Sequence, residues 1–344
     1  MRYDLLTSTT VIVILSYSYA RMSNKVEAAP SANRSLASAV IINSTSAHQI
    51  IRNGRFAAAV SLQPTTSGHT IITADGIDNL TTLSIEDFIS LMTFAKGTAR
   101  ALEDSIGVHR IGLAADDKKI NLIPLHGVGK DWEAIVHAEE EFHTTYPGYL
   151  NSKSGPRLSA SDLEAMRTRI VAVSGLPDTY DTTFHGDLDD QNLFARIVRG
   201  ELEQWRIWED ENHVAFLTPF ANTPGFTVLV PRRHLHSDVF SLDDASYNSL
   251  LHASFSVMGI LVQALGVPAV GLFFEGFEID YTHAKLIPIH ASASQRIEST
   301  NVHPAPFYEK YPGYITTQPG PVAELEPLGR LVGKIQQASV DYRM

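Results

Sequence analysis

One stretch of this sequence occurs twice, and the interval between its copies constrains the fold more than any other feature. Phe142, Tyr146-Pro147-Gly148-Tyr149 and Gly155-Pro156 return as Phe307, Tyr311-Pro312-Gly313-Tyr314 and Gly320-Pro321, at an offset of 165 residues throughout. Upstream, Leu122 to His126 answers to Leu286 to His290 at an offset of 164. Gly107-Val108 with Ile111-Gly112-Leu113 answers to Gly266-Val267 with Val270-Gly271-Leu272 at 159. Blocks that keep their order while the offset drifts slowly are what two copies of one domain leave behind. We place copy one at 47–173 and copy two at 192–334. Residues 174–191, rich in Asp, Gly and Pro, form the linker.

Ahead of the first copy, residues 1–46 read as a signal-like or disordered segment. Arg2 precedes the apolar Val11 to Leu15, and Ser18-Tyr19-Ala20 has the small-x-small spacing of a cleavage site. Asp4 and the polar run Thr7 to Thr10 interrupt it, so a cytoplasmic protein is the expectation. The alternative is a secretory route, in which the sequons at Asn33, Asn43 and Asn79 would matter. No later stretch reads as the roughly 20 apolar residues of a membrane span. The formal charge of −11 and the lack of a basic run argue against a long nucleic-acid partner. With no cysteine, thiolate metal sites, disulfides and a Cys nucleophile are excluded, leaving His, Ser, Thr, Lys or a carboxylate as nucleophile.

Within each copy, short β-branched runs flank one long amphipathic segment. In copy two, Val214 to Leu217 and Thr227 to Val230 predict strands joined through Asn222-Thr223-Pro224-Gly225. A helix follows, from a cap at Ser241 to Gly266, then strands Ala269 to Glu275 and Tyr281 to Ile287. Copy one shows strands at Thr70 to Thr73, Arg110 to Ala114 and Ile120 to Ile123, with a helix over Ser84 to Ser105. Both copies are therefore α+β, each an antiparallel meander sheet with one long helix laid across it.

The last strand of copy two concentrates the chemistry. Side chains alternate faces with period two, so Tyr281, His283 and Lys285 share one face while Thr282, Ala284 and Leu286 share the other. An imidazole between a phenol and an ammonium suits an anionic phosphate; the plainer alternative is a solvated strand face.

At these residues copy two resembles the histidine triad (HIT) superfamily of nucleotide hydrolases and transferases. The resemblance runs from Leu193 to Glu201, through Trp208-Glu209-Asp210, Val214 to Leu217 and Thr223 to His234, and ends in Gly276 to Pro288. It implies that His283 attacks the α-phosphorus of a nucleotide to form a nucleotidyl-histidine. It also implies that His234 lies near the phosphates. Thr282 and His290 are further candidates for phosphate binding, and by its charge Lys285 would offset phosphate while lowering the imidazole pKa. His290 also admits a structural role, because its counterpart His126 stands in the copy without a nucleophile. Tyr281 and Lys285 stand where the family places its outer triad histidines; the Lys is similar to a bacterial subset that also carries Tyr-Pro-Gly-Tyr. Asn192 and Ala195 replace a zinc-binding Cys pair, so neither metal nor cofactor is expected.

Copy one aligns Lys119 with His283, Asp117 with Tyr281 and Asn121 with Lys285, and so lacks the nucleophile. The family commonly forms homodimers through a shared sheet, which implies an intrachain pseudo-dimer with one site per chain, monomeric overall. Two functions stay open: nucleotide hydrolysis or nucleotidyl transfer on a nucleoside polyphosphate, dinucleoside polyphosphate or phosphoramidate, or an inactive nucleotide-binding scaffold. His185-Gly186-Asp187 to Asn192 also fits a kinase catalytic loop, but no Gly-rich loop or downstream metal-binding Asp accompanies it.

Overall fold

Among the described residues, ten short strands form one antiparallel sheet whose order reads the same from either edge. They are β1 (Gln49–Asn53), β2 (Phe56–Val60), β3 (Thr70–Ala74), β4 (Ile111–Ala115), β5 (Ile120–Pro124), β6 (Trp205–Glu209), β7 (His213–Leu217), β8 (Thr227–Pro231), β9 (Val270–Phe274) and β10 (Ala284–Pro288). The spatial order is β1-β2-β3-β5-β4-β9-β10-β8-β7-β6. The computed structural model describes residues 48–77, 79–291 and 302–338. The signal-like segment 1–46, with Asn33 and Asn43, lies outside the described residues. Asn79 is described, with its side chain donating to the Pro268 carbonyl.

Registers repeat between the halves. Ala57 pairs with Thr73 as Val214 pairs with Val230, and Ile71 pairs with Asn121 as Val228 pairs with Lys285. At the centre, Leu113 opposes Phe274, Ala114 opposes Phe273 and Ala115 opposes Leu272. An antiparallel pair of this kind needs no crossover, so the two five-stranded halves continue one ladder.

Helices α1 (Ile85–Ile106), α2 (Ala160–Ser174), α4 (Asp244–Leu265) and α5 (Leu325–Ala338) cover one face of the sheet; the six-residue α3 (Leu193–Val198) lies on the other. Ser84 caps α1 by accepting the Asp87 N–H, and Gly107 ends it in the left-handed conformation at φ 77°. The cap of α4 is Asp243 rather than Ser241, which sits in the 3-10 turn Val239–Ser241 just upstream. Among the described residues α4 alone is long and apolar enough to cross a bilayer. Its apolar character serves burial, since Leu250, Leu251, Val257 and Leu261 pack into the core beneath the sheet.

The segments after β5 and β10 cross between halves. The Tyr146 N–H donates to the His290 carbonyl of the other half, and the Tyr311 N–H donates to the His126 carbonyl. Gly155 donates to Phe220 and Gly320 to Gln63, while Asn151 and Thr316 bridge where the two arms meet. These contacts explain the repeated Gly-Pro pairs: a Cβ on Gly155 would stand 2.0 Å from the Ala221 carbonyl oxygen, and one on Gly320 at 2.0 Å from that of Pro64. The arms end in α2, which packs on α4 and β6, and α5, which packs on α1 and β1. Each half is thereby closed by a helix from the other half's arm.

Candidate functional site

The sequence residues converge at the N-terminal end of β10. Ladder pairing begins at Ala284, so Tyr281 and His283 stand just ahead of the strand rather than within it. Face alternation nonetheless persists: Ala284 and Leu286 enter the helix-side core, and Tyr281, Ile287 and Ile289 enter the other.

His283 is 3% exposed. Its Nδ1 lies 2.7 Å from the Tyr281 carbonyl oxygen, which can only accept, so that nitrogen carries the hydrogen. Nε2 is left with its lone pair. Burial, followed by the nearby Lys285 ammonium, pulls the imidazole down from 6.5 to about 4. The ring is therefore neutral at physiological pH. The expected influence of Lys285 is present but second to desolvation.

The Lys285 ammonium has three hydrogens and three acceptors: the Ser152 carbonyl at 3.1 Å, Glu275 Oε2 at 3.1 Å and Glu278 Oε2 at 3.1 Å. Burial opposes its charge, yet Glu278 and Glu275 outweigh that and hold the group above its ordinary range. Glu275 is raised by burial and by repulsion from Glu278, against the pull of Lys285. Glu278 is lowered because Lys285 overcomes its desolvation. Lys285 thus meets its counter-charges inside the protein and presents no unpaired positive charge. Tyr311 donates to Glu275 and the Ser154 hydroxyl to Glu278, so both arms tie down this cluster.

Tyr281 is fully buried, and its hydroxyl donates to the Pro231 carbonyl at 2.6 Å. The phenol faces the protein interior, with burial holding it far above its usual range. His234 stacks on that ring with centroids 4.7 Å apart, Nδ1 2.7 Å from Asp190 Oδ2 and Nε2 2.8 Å from the Asp280 carbonyl. Thr282 donates its hydroxyl to the His236 carbonyl at 2.5 Å. His290 lies apart. It sits beyond the opposite end of β10, seven residues and roughly 20 Å of extended chain from His283, with Nε2 2.8 Å from the Pro224 carbonyl. His126 makes the equivalent contact, Nε2 to Ser67 carbonyl at 2.8 Å. That repeated turn-pinning contact fits the structural role that His290 also admits.

Sequence reading missed three contributors. Phe194 on α3 roofs the site, packing on Phe216, Tyr281 and His283 with centroids at 5.8, 5.7 and 5.3 Å. Glu275 and Glu278 are the others, and their carboxyls read from sequence only as ordinary acidic residues. The kinase-like stretch has other work: Asn192 caps α3 by accepting the Phe194 N–H and donates to the Asp280 carbonyl. Among the described residues, no group of three His, Asp or Glu side chains could hold a metal ion.

No family model matches the chain. It is 28% identical over 120 residues, 35% of this chain and 96% of the relative, to an uncharacterized 13.1 kDa HIT-like protein of Mesomycoplasma hyorhinis. A solved Hit-like protein involved in cell-cycle regulation from Bartonella henselae is similar at 18% identity and a TM-score of 0.27, over 44% of this chain and 99% of that one. A galt-like protein from Arabidopsis thaliana is similar at 9% identity and a TM-score of 0.39, over 82% of this chain and 84% of that one. The chain is thus similar to a HIT-like protein over 35% of its length.

Proposed function

We propose that the second half carries out nucleotide hydrolysis or nucleotidyl transfer, with His283 Nε2 as the atom that attacks phosphorus. The observation that carries this reading is the hydrogen bond from Nδ1 to the Tyr281 carbonyl. It fixes the tautomer whose Nε2 holds a lone pair, and burial keeps the ring unprotonated. Attack by Nε2 forms an N–P bond as the bond from phosphorus to the leaving oxygen breaks; the oxygen departs with its electron pair. Water or another acceptor then cleaves the N–P bond and restores neutral imidazole. Lys285 acts in this scheme through Glu275 and Glu278, as a positioning residue for the strand end.

On this reading the chain is a tandem pair of domains, copy one supplying no nucleophile and the pair replacing a homodimer. The repeated registers and palindromic strand order support it. The substrate class is a nucleoside polyphosphate, dinucleoside polyphosphate or phosphoramidate, for which a phosphorus bearing a good leaving group is the shared requirement.

A second reading is favoured by one specific observation: His283 is buried beneath Phe194. A scaffold that binds without turnover would keep that roof closed. The two separate on incubation with adenosine 5′-phosphoramidate or ATP followed by mass spectrometry of the intact chain. An adenylyl adduct that disappears in His283→Ala supports the enzyme. Hydrolysis that persists in His283→Ala, or binding with neither adduct nor product, removes it.

A further inference from the structure

Six residues of the first half, Ala57, Ala59, Ile71, Thr73, Lys119 and Asn121, line one cavity of about 270 Å³. By register they are the counterparts of Val214, Phe216, Val228, Val230, His283 and Lys285. The same face is filled in the second half, where Phe216 and the valines pack under Phe194 and Ile197. In the first half, alanines at positions 57 and 59 remove that bulk and leave room over the sheet. The more open face therefore belongs to the half without the histidine.

The lining has a definite chemical character. Leu62, Val60, Ile71 and the two alanines give it an aliphatic floor, and no Asp or Glu contributes to the wall. Lys119 is half-buried there and makes no ion pair among the described residues. His69 and Asn121 form a closed chain: the Thr65 N–H donates to His69 Nδ1 at 3.2 Å, His69 Nε2 donates to Asn121 Oδ1 at 3.1 Å, and Asn121 donates to the Ala114 carbonyl at 2.9 Å. That chain makes a neutral polar wall, so Lys119 supplies the cavity's only formal charge among the described lining residues.

We propose that this cavity is a binding site for a small organic anion: one flat ring seated on Ala57, Ala59 and Ile71, with its acidic group against Lys119. The volume lies below the ~300–1,000 Å³ of sites for larger ligands, which selects a single-ring molecule. The lone cation selects one acidic group, carboxylate or phosphate. Such a site is independent of His283 and stands whether or not the second half turns over nucleotide.

The test titrates benzoate and phenyl phosphate, in parallel, into the full chain labelled at alanine methyl groups, with benzyl alcohol and inorganic phosphate as controls. Saturable shifts of the Ala57 and Ala59 methyls with at least one organic anion, stronger than with either control, are expected. Which anion binds tighter assigns the acidic group. Lys119→Met should weaken binding at least tenfold, Ala59→Phe should abolish it by restoring the bulk Phe216 supplies in the other half, and His283→Ala should leave it unchanged. Absence of saturable shifts at millimolar probe, or affinity unaltered by Lys119→Met, overturns the proposal. Lys119 is partly exposed, so its variant reports even if Ala59→Phe fails to fold.

Discussion

Acidification from pH 7 to pH 5 should destabilise this protein partly through His283, and the size of the effect follows from its surroundings. In the unfolded chain the imidazole titrates near 6.5; buried in the fold it titrates near 4. A depressed imidazole means the unfolded state binds more protons across that interval, so stability is full above about 6.5 and is lost as pH falls towards 4. At pH 5 nearly all unfolded chains carry the proton and about a tenth of folded ones do. Linkage then gives a loss of about 2 kcal/mol between pH 7 and pH 5 from this one group. Urea unfolding of wild type and His283→Asn at both pH values isolates it, because Asn keeps a donor for the Tyr281 carbonyl but does not titrate. The wild type should lose about 2 kcal/mol more than the variant over the interval. Parallel losses would show that the ring is not held neutral by burial, and the nucleophile assignment would lose its electrostatic basis. His69, also held near 4 by burial, should give a comparable difference in His69→Asn.

Lys285→Met should destabilise the fold by about 3–5 kcal/mol in thermal or urea unfolding, because Glu275 and Glu278 would remain buried without their cation. A deficit below about 1 kcal/mol would mean the carboxylates are solvated or protonated already. Gly155→Ala and Gly320→Ala should each cost roughly 1–3 kcal/mol, since both would press a methyl into a carbonyl of the opposite half; equal stability to wild type would refute the arm geometry. Glu103, raised to about 7 by burial and by Asp238, stabilises most when protonated, and that contribution fades as pH rises from about 4.5 through 7. Glu103→Gln should accordingly gain on wild type between pH 6 and pH 8, and a constant difference across that range would count against the shift. Tyr281→Phe should lose about 1–2 kcal/mol by leaving the Pro231 carbonyl without its donor.

Local signals in the sequence located most of the elements. Ser84 and Gly107 bracket α1, Gly266 closes α4, and β-branched runs mark the inner strands, because caps, left-handed glycines and side-chain alternation act over a few residues. The paired blocks at offsets 165, 164 and 159 could be read without coordinates. So could the shared face of Tyr281, His283 and Lys285. The strand start at Ala284 and the cap at Asp243 differ from expectation by a few residues, since ends are set by tertiary hydrogen bonds as much as by propensity.

Other features exist only in the folded chain. The crossing of the first arm brings Ser152 to Lys285, 133 positions away, and the second arm folds Tyr311 back onto Glu275; no periodicity encodes such contacts. The same is true of the roof that Phe194 places on His283. It is true also of the contact of His290 with the Pro224 carbonyl, beyond the C-terminal end of β10. Sequence fixes which side chains share a face. Whether that face is filled, as over His283, or left open, as over Lys119, depends on the volumes that packing brings from elsewhere in the chain.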